Sequence, residues 1–191
     1  GSTIAANYAA VAVGTETAGS ILSPSSSGSL VGLKPTVGLL RRGGIVPLSS
    51  TLDTPGPMTK SVIDNAILLS AMTGEDPKDV ATKDNPKNKK YWEEVTSGSL
   101  EGLRFGVNKA FLGDSNYTIS EEKNAALGAD TVHLAFQNAD ISGFISLLNA
   151  DMNQDMIHYL EDYASDNITV KSMSDLVDFN RTDCASAMPY G

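Results

Sequence analysis

Three observations predict an α/β fold, a mixed β-sheet core covered by helices on both faces. Leu103-Arg104-Phe105-Gly106-Val107 and Thr131-Val132-His133-Leu134-Ala135 alternate as strands do. Ser61 to Thr73 and Phe144 to Tyr163 carry apolar residues at three- and four-residue steps, the spacing of helices with one buried face. Between residues 30 and 60, Gly38, Gly43, Gly44, Pro47, Pro55 and Pro57 cut the chain into brief extended pieces and turns.

In chain order, Ala5, Ala6, Ala9, Ala10, Val11 and Val13 form a small-residue segment that reads as a buried helix or a helix-to-strand passage ending at Gly14. Gly14 to Ile21 is a loop of small and hydroxyl residues, and it continues through Leu22-Ser23-Pro24 and the serine cluster Ser25-Ser26-Ser27. Such a loop exposes many backbone amides. Leu30 to Thr36 is a short apolar run stopped by Pro35. Ser61 with Asp64 three residues on resembles a capping box, and Val62, Ile63, Ala66, Ile67 and Leu69 supply the apolar face of the helix that follows. Asp76 to Glu94 is charged, with Lys83, Lys87, Lys89 and Lys90 close together, and reads as a solvated loop with a short helix from Tyr91 to Val95. Ser120 to Leu127 is the expected connecting helix between the two alternating strands, short for a parallel crossover. In the long helix Phe144, Leu147, Leu148, Met152, Met156, Tyr159, Leu160 and Tyr163 read as core, while Asp151, Asp155, Glu161 and Asp162 read as a solvated face. Ser172 with Asp175 repeats the capping pattern ahead of a last helix to Asn180.

The 191 residues fit one domain, and 41% hydrophobic residues suffice for a core that needs neither metal nor disulfide. Fourteen Lys and Arg against 23 Asp and Glu leave a net charge of −9, which repels phosphate backbones and anionic lipid, so nucleic acid and membrane surfaces are not the expected partners. No apolar run approaches the roughly eighteen residues of a membrane span. The single cysteine, Cys184, beside Asp183 rather than a base, reads as an inert thiol and leaves the compartment open, leaning cytoplasmic. His133 and His158 lack metal-ligand spacing, so no metal or other cofactor is expected. The chain starts at Gly1-Ser2 without Met and stops on a Pro-Tyr-Gly turn, which reads as part of a single domain truncated at both ends.

The chemistry concentrates in three ordered strings: Gly14-Thr15-Glu16-Thr17-Ala18-Gly19-Ser20-Ile21, then Val31-Gly32-Leu33-Lys34-Pro35-Thr36, then Asp53-Thr54-Pro55-Gly56-Pro57-Met58. Together they resemble the amidase signature family of serine hydrolases, densely from about Ala5 to Thr73. The Gly-Thr-Glu-Thr variant followed by Ile21-Leu22-Ser23-Pro24 resembles the branch that includes peptide amidases. A serine hydroxyl is a weak nucleophile at its free pKa, so a hydrolase must hold it beside a base and aim donors at the developing oxyanion. Small residues at Thr17, Ala18 and Gly19 let successive N–H groups converge on that oxygen.

The resemblance implies that Ser20 is the acyl-forming nucleophile, that the amides of Thr17, Ala18, Gly19 and Ser20 form the oxyanion hole, and that Thr15 supports the site by hydrogen bonding. It further implies a second serine, held by a cis peptide, and a lysine as the proton relay. Both fall upstream of Gly1 in the family pattern, so neither Ser2 nor Lys34 is assigned to those roles, and these 191 residues alone are expected to be inactive. The implied substrate is a small amide or peptide amide. Many members carry Arg two residues after the nucleophile; Leu22 stands there, which disfavours a carboxylate-bearing substrate. The alternatives are the amidotransferase component of a tRNA-dependent transamidation complex, for which Leu22 and the acidic balance are unfavourable, and a non-catalytic domain that keeps the fold.

Overall fold

The computed structural model describes residues 1–85, 89–97, 99–108, 130–134 and 141–187. They divide into one unit of Gly1–Val95 with Gly143–Gly191 and a second of Thr96–Ser142.

In the first unit, strands β1 (Ala12–Glu16), β2 (Val31–Gly32) and β3 (Thr54–Thr59) form an antiparallel sheet in the order β1-β3-β2. The central strand is buried along its whole length although two of its six residues are prolines. Pro55 and Pro57 are two apart, so both present their missing N–H on one edge. That is the β2 edge, where the Pro57 carbonyl accepts from Leu33 N–H at 3.2 Å and β2 pairs only with Met58 and Thr59. The opposite edge is left intact to pair with β1 in continuous register from Ala12↔Met58 to Glu16↔Thr54. Gly56 lies against the Leu33 carbonyl, where an added Cβ would come within 2.1 Å of the oxygen.

Of the two readings of the amino-terminal segment, the structure takes the helix-to-strand passage, with β1 running on past Gly14. Helix α1 spans only Ser2–Ala5, with Ile4 fully buried, while Ala5, Ala6, Ala9 and Ala10 are exposed. Asn7 at φ 65° takes the left-handed conformation that stops the helix. Val11 and Val13 are exposed because Val13 lies on the face of β1 opposite Gly14 and Glu16, which is the face packed on Ile21 and Met58, and Val11 precedes the strand in the same phase. A departure is the serine cluster, which is helical as α2 (Leu22–Ser27). Pro24 falls in its first turn, where a missing N–H costs no intrahelical bond.

Helix α3 (Val62–Met72) matches the expectation, with Ser61 as N-cap: its Oγ accepts from Asp64 N–H at 3.2 Å and donates to Asp64 Oδ2 at 2.6 Å. Asn65 is buried in α3 and its Nδ2 donates to the carbonyls of Val31 and Pro57, at 3.0 and 3.2 Å, which ties the helix to β2 and β3. A 3₁₀ turn, Val80–Thr82, is capped by Asp79. Helix α4 (Tyr91–Ser97) ends two residues later than predicted, and Lys89 and Lys90 pair with Glu94 and Glu93 at its start.

Helix α5 (Phe144–Tyr163) forms over the predicted span. Its buried residues are Met156 and Leu160, whereas Leu147, Ile145 and Ile157 are exposed, so the apolar stripe is core only in its second half. Helix α6 (Met173–Thr182) is capped by Ser172, which accepts from Asp175 N–H at 3.1 Å, and the short α7 (Cys184–Ala187) carries an exposed Cys184. Among the described residues no helix is long and apolar enough to cross a membrane.

In the second unit, β4 (Arg104–Asn108) and β5 (Asp130–Leu134) pair in parallel from Arg104↔Asp130 to Asn108↔Leu134. Both strands lie within a residue of the predicted runs. The connecting helix expected from Ser120 to Leu127 lies outside the described residues. The architecture is α/β: among the described residues the first unit holds the three-stranded antiparallel sheet and the second the parallel pair. Alternation and turn residues mark where strands are; they do not say which strands pair.

Candidate active site

The site is built on the side chain next to Ser20. Ile21 is fully buried, and three glycines, one from each strand of the sheet, make its seat. A Cβ on Gly14 would stand 3.2 Å from Ile21 Cγ1, one on Gly32 3.2 Å from Cγ2, and one on Gly56 2.8 Å from Cδ1. With Ile21 pressed onto the sheet, the preceding Ser20 is turned outward and exposed.

Glu16, the last residue of β1, fixes the turn from inside. It is 3% exposed, and its Oε2 accepts from the N–H groups of Ile21 and Leu22 at 2.8 and 2.9 Å. Burial by itself would raise the Glu16 pKa. The N–H groups of Leu22, Gly19 and Ile21, with the charge of Lys34, outweigh it and hold the carboxyl below its ordinary value. Gly19 has φ +92° with open space where a Cβ would stand, so glycine is required there by backbone conformation. Among the described residues, the N–H groups of Ala18 and Ser20 meet no acceptor, while that of Gly19 lies toward Glu16.

A second brace comes from outside the turn. Thr17 Oγ1 donates to Asp53 Oδ1 at 2.5 Å, and Asp53 Oδ2 accepts from the N–H groups of Leu48 and Ser49 at 2.7 and 2.8 Å. Asp53 therefore joins the Ser20 turn to the 48–53 loop. Thr15, expected to support the site, pairs with Pro55 in the sheet and lines the same cavity as Ser20 and Thr17.

Arg42 locks the same loop from its other side. Nε and Nη2 bond both oxygens of Asp79 at 2.7 Å, and Nη1 donates to the carbonyls of Ser50 at 2.5 Å and Asp53 at 3.4 Å. The bidentate pair raises the Arg42 pKa and lowers that of Asp79, so both stay charged. Helix α5 meets the loop through carboxylates. Asp151 accepts from Ser49 Oγ at 2.5 Å and Asp155 from Ser50 N–H at 2.6 Å. This corrects the reading of that acidic face as merely solvated: two of its four carboxylates dock the helix.

These contacts enclose a cavity of about 350 Å³. Its lining takes Ser20, Thr15 and Thr17 from the turn and β1, the apolar run Ile45, Val46, Pro47 and Leu48, and Asp155, His158, Tyr159, Asp162 and Tyr163 from α5. The volume lies in the range of small-ligand sites. Of the predicted site residues, Ser20, Thr17 and Thr15 come together in this lining, while Ala18 and Gly19 lie outside it. Lys34 Nζ is directed to the Leu52 carbonyl at 3.4 Å, and His158 pairs with Glu161 at 3.7 Å when protonated. Among the described residues no group of three His, Cys, Asp or Glu side chains could hold a metal ion.

Sequence reasoning did not assign Glu16 and Asp53, although both stand inside the quoted strings; a buried acid ending a strand was the available signal. Arg42, Asp79 and Asp155 carry no local signal, because Arg42 and Asp79 pair across 37 residues and Asp155 reaches Ser50 across 105.

Comparison with known proteins agrees with this geometry. The family model described as Amidase matches residues 1–181. A probable amidase of Arabidopsis thaliana is 34% identical over 186 residues, covering 93% of this chain and 36% of the relative. A glutamyl-tRNA(Gln) amidotransferase subunit of Thermoanaerobacter pseudethanolicus is 35% identical over 167 residues, covering 82% and 33%. The crystal structure of peptide amidase from Stenotrophomonas maltophilia superposes with a TM-score of 0.80 at 31% identity, covering 94% of this chain and 38% of that one. The chain thus spans little more than a third of the length of such relatives.

Proposed function

Because the chain belongs to the amidase family, we propose that the protein it represents hydrolyses carboxylic or peptide amides through an acyl-enzyme on Ser20. The observation that carries this reading is the exposed Ser20, set by the Ile21 seat and the Glu16 brace at the wall of the cavity. Ser20 Oγ attacks the amide carbonyl and its proton passes through the relay of second serine and lysine that the family places upstream. The C–N bond then breaks, the amine leaves with a proton, and water cleaves the Ser20 ester to release the acid. The negative charge on the tetrahedral oxygen falls to N–H groups of the Thr17–Ser20 turn, with those of Ala18 and Ser20 the donors not already engaged, and donors already in place cost no reorganisation. No metal or cofactor takes part.

In the complete protein, the two units belong to a single amidase signature domain, a mixed sheet with helices on both faces. A primary or peptide amide fits the cavity, and peptide amidase among the similar structures favours it. The likeness to a tRNA-dependent amidotransferase supports a second reading, transamidation within a complex, which Leu22 disfavours.

In the full-length protein, Ser20→Ala is expected to lower amide turnover by about a thousandfold or more, and mass spectrometry of the wild type with a slowly deacylating ester is expected to place the acyl group on the Ser20 peptide. Turnover unchanged in Ser20→Ala refutes the reading. A dead site would fail to label, and co-purifying partner proteins with tRNA would favour transamidation.

A further inference from the structure

The cavity beside Ser20 has an excess of unpaired negative charge. Two of its carboxylates have a cation of their own: Asp79 holds Arg42 bidentately, and Asp162 pairs with Lys78 at 3.1 Å. Lys78 is further occupied over the face of Tyr163, 4.9 Å from the ring centroid. Asp53 and Asp155 bond only neutral donors, a hydroxyl and backbone N–H groups. Among the described residues lining the cavity, every Lys and Arg is already in an ion pair. Arg42, whose pKa is raised first by its hydrogen bonds to Asp79, is raised further by the charges of Asp53 and Asp155.

Asp53 is consumed in holding the turn, with both oxygens bonded. Asp155 is different: only Oδ2 accepts, from Ser50 N–H, and the half-buried carboxylate sits one helical turn before Tyr159 on the cavity side of α5. Tyr159 stacks on Tyr163 at 5.6 Å and presents its ring to the cavity beside this charge. A carboxylate with a free oxygen, next to an aromatic ring and in one cavity with an apolar run, matches an alkyl chain that ends in a cation. It opposes an anionic group, in line with Leu22 on the nucleophile's side.

Resting on the amide-hydrolase reading above, we propose that Asp155 is a specificity-determining residue that selects amides whose acyl portion carries an ammonium or guanidinium group. The acyl portion is the part concerned because the leaving group of a primary amide is a single nitrogen, which does not fill 350 Å³.

The test uses the full-length enzyme and three matched primary amides, those of N-acetyl-lysine, N-acetyl-norleucine and N-acetyl-glutamate. Wild type is expected to favour the lysine amide over the norleucine amide at least tenfold in kcat/KM, with the glutamate amide poorest. Asp155→Asn keeps an acceptor for Ser50 N–H; it is expected to reduce the lysine/norleucine ratio below about twofold, with the larger loss on the lysine amide, and Asp155→Glu to restore most of the ratio. Equal wild-type turnover of the lysine and norleucine amides, or an Asp155→Asn loss shared equally by both, overturns the proposal while leaving Ser20-dependent hydrolysis standing. If none of the amides is hydrolysed through Ser20, calorimetric binding of the same lysine and norleucine amides decides: a preference for the lysine amide that Asp155→Asn abolishes supports the inference, and equal affinity overturns it.

Discussion

Replacing Glu16 should separate the architecture of the turn from the nucleophile itself. The carboxylate is almost wholly buried and one oxygen accepts two N–H groups, those of Ile21 and Leu22. A hydrogen bond to a charged acceptor contributes about 1.5–3 kcal/mol and a neutral one about 0.5–1.5, so Glu16→Gln, which keeps a carbonyl but loses the charge, should cost about 1 kcal/mol per bond and about 2 in all. Glu16→Ala leaves two N–H groups without their acceptor at about 1–3 kcal/mol each, about 2–6 in all. The folded-state pKa of Glu16 is lowered, so its contribution is fully present above the unfolded value near 4.5 and fades as pH falls through the lowered folded value. Urea denaturation of full-length wild type and Glu16→Gln between pH 3 and 8 reads this directly. The gap in stability is expected to be constant at neutral pH and to narrow below about pH 4.5. Amide turnover should fall with the gap, since Ser20 is positioned through Ile21. A difference under about 0.5 kcal/mol at pH 7, or one that widens on acidification, would refute the assignment of Glu16 as the ionised brace.

Two further substitutions probe the other supports. Gly56→Ala forces a Cβ to within 2.1 Å of the Leu33 carbonyl and 2.8 Å of Ile21 Cδ1, so it is expected to destabilise by about 3 kcal/mol or more, while Gly19→Ala meets open space and should cost only about 1–2 for its positive φ; equal losses in denaturation would contradict the three-glycine seat. Thr17→Val keeps the shape but removes the hydrogen bond to Asp53, and in this partly buried position should cost about 1–2 kcal/mol together with a fall in kcat at little change in KM; wild-type kinetics would show that Asp53 does not position the turn.

The legible and illegible parts of this molecule divide by sequence separation. Ser20, Thr17 and Glu16 fall within one short string because the turn and its internal carboxylate are neighbours in the chain, Asp53 stands in a second string 36 residues after Thr17, and helices α3 and α6 are announced by their own serine caps. The burial of β3 was not legible: two prolines argue against a central strand until the partner edge that bypasses them is known. Nor was the role of the α5 acids, because helical spacing groups Asp151 and Asp155 on one face equally well whether that face meets water or the N–H and hydroxyl groups of a loop about a hundred residues earlier. The same division runs through function. The Ser20 turn is held by Glu16 beside it and by Gly32, Asp53 and Gly56 of the two later strings, so its supports are written in three short runs of sequence, whereas the cavity lining also draws on a helix far along the chain. Substitutions on α5 can therefore change which acyl group is accepted without touching Ile21, Glu16 or the Thr17–Asp53 bond. Sequence strings that identify the chemistry are for that reason poor guides to the substrate, and the cavity face of α5 is where relatives with the same turn are expected to differ in what they hydrolyse.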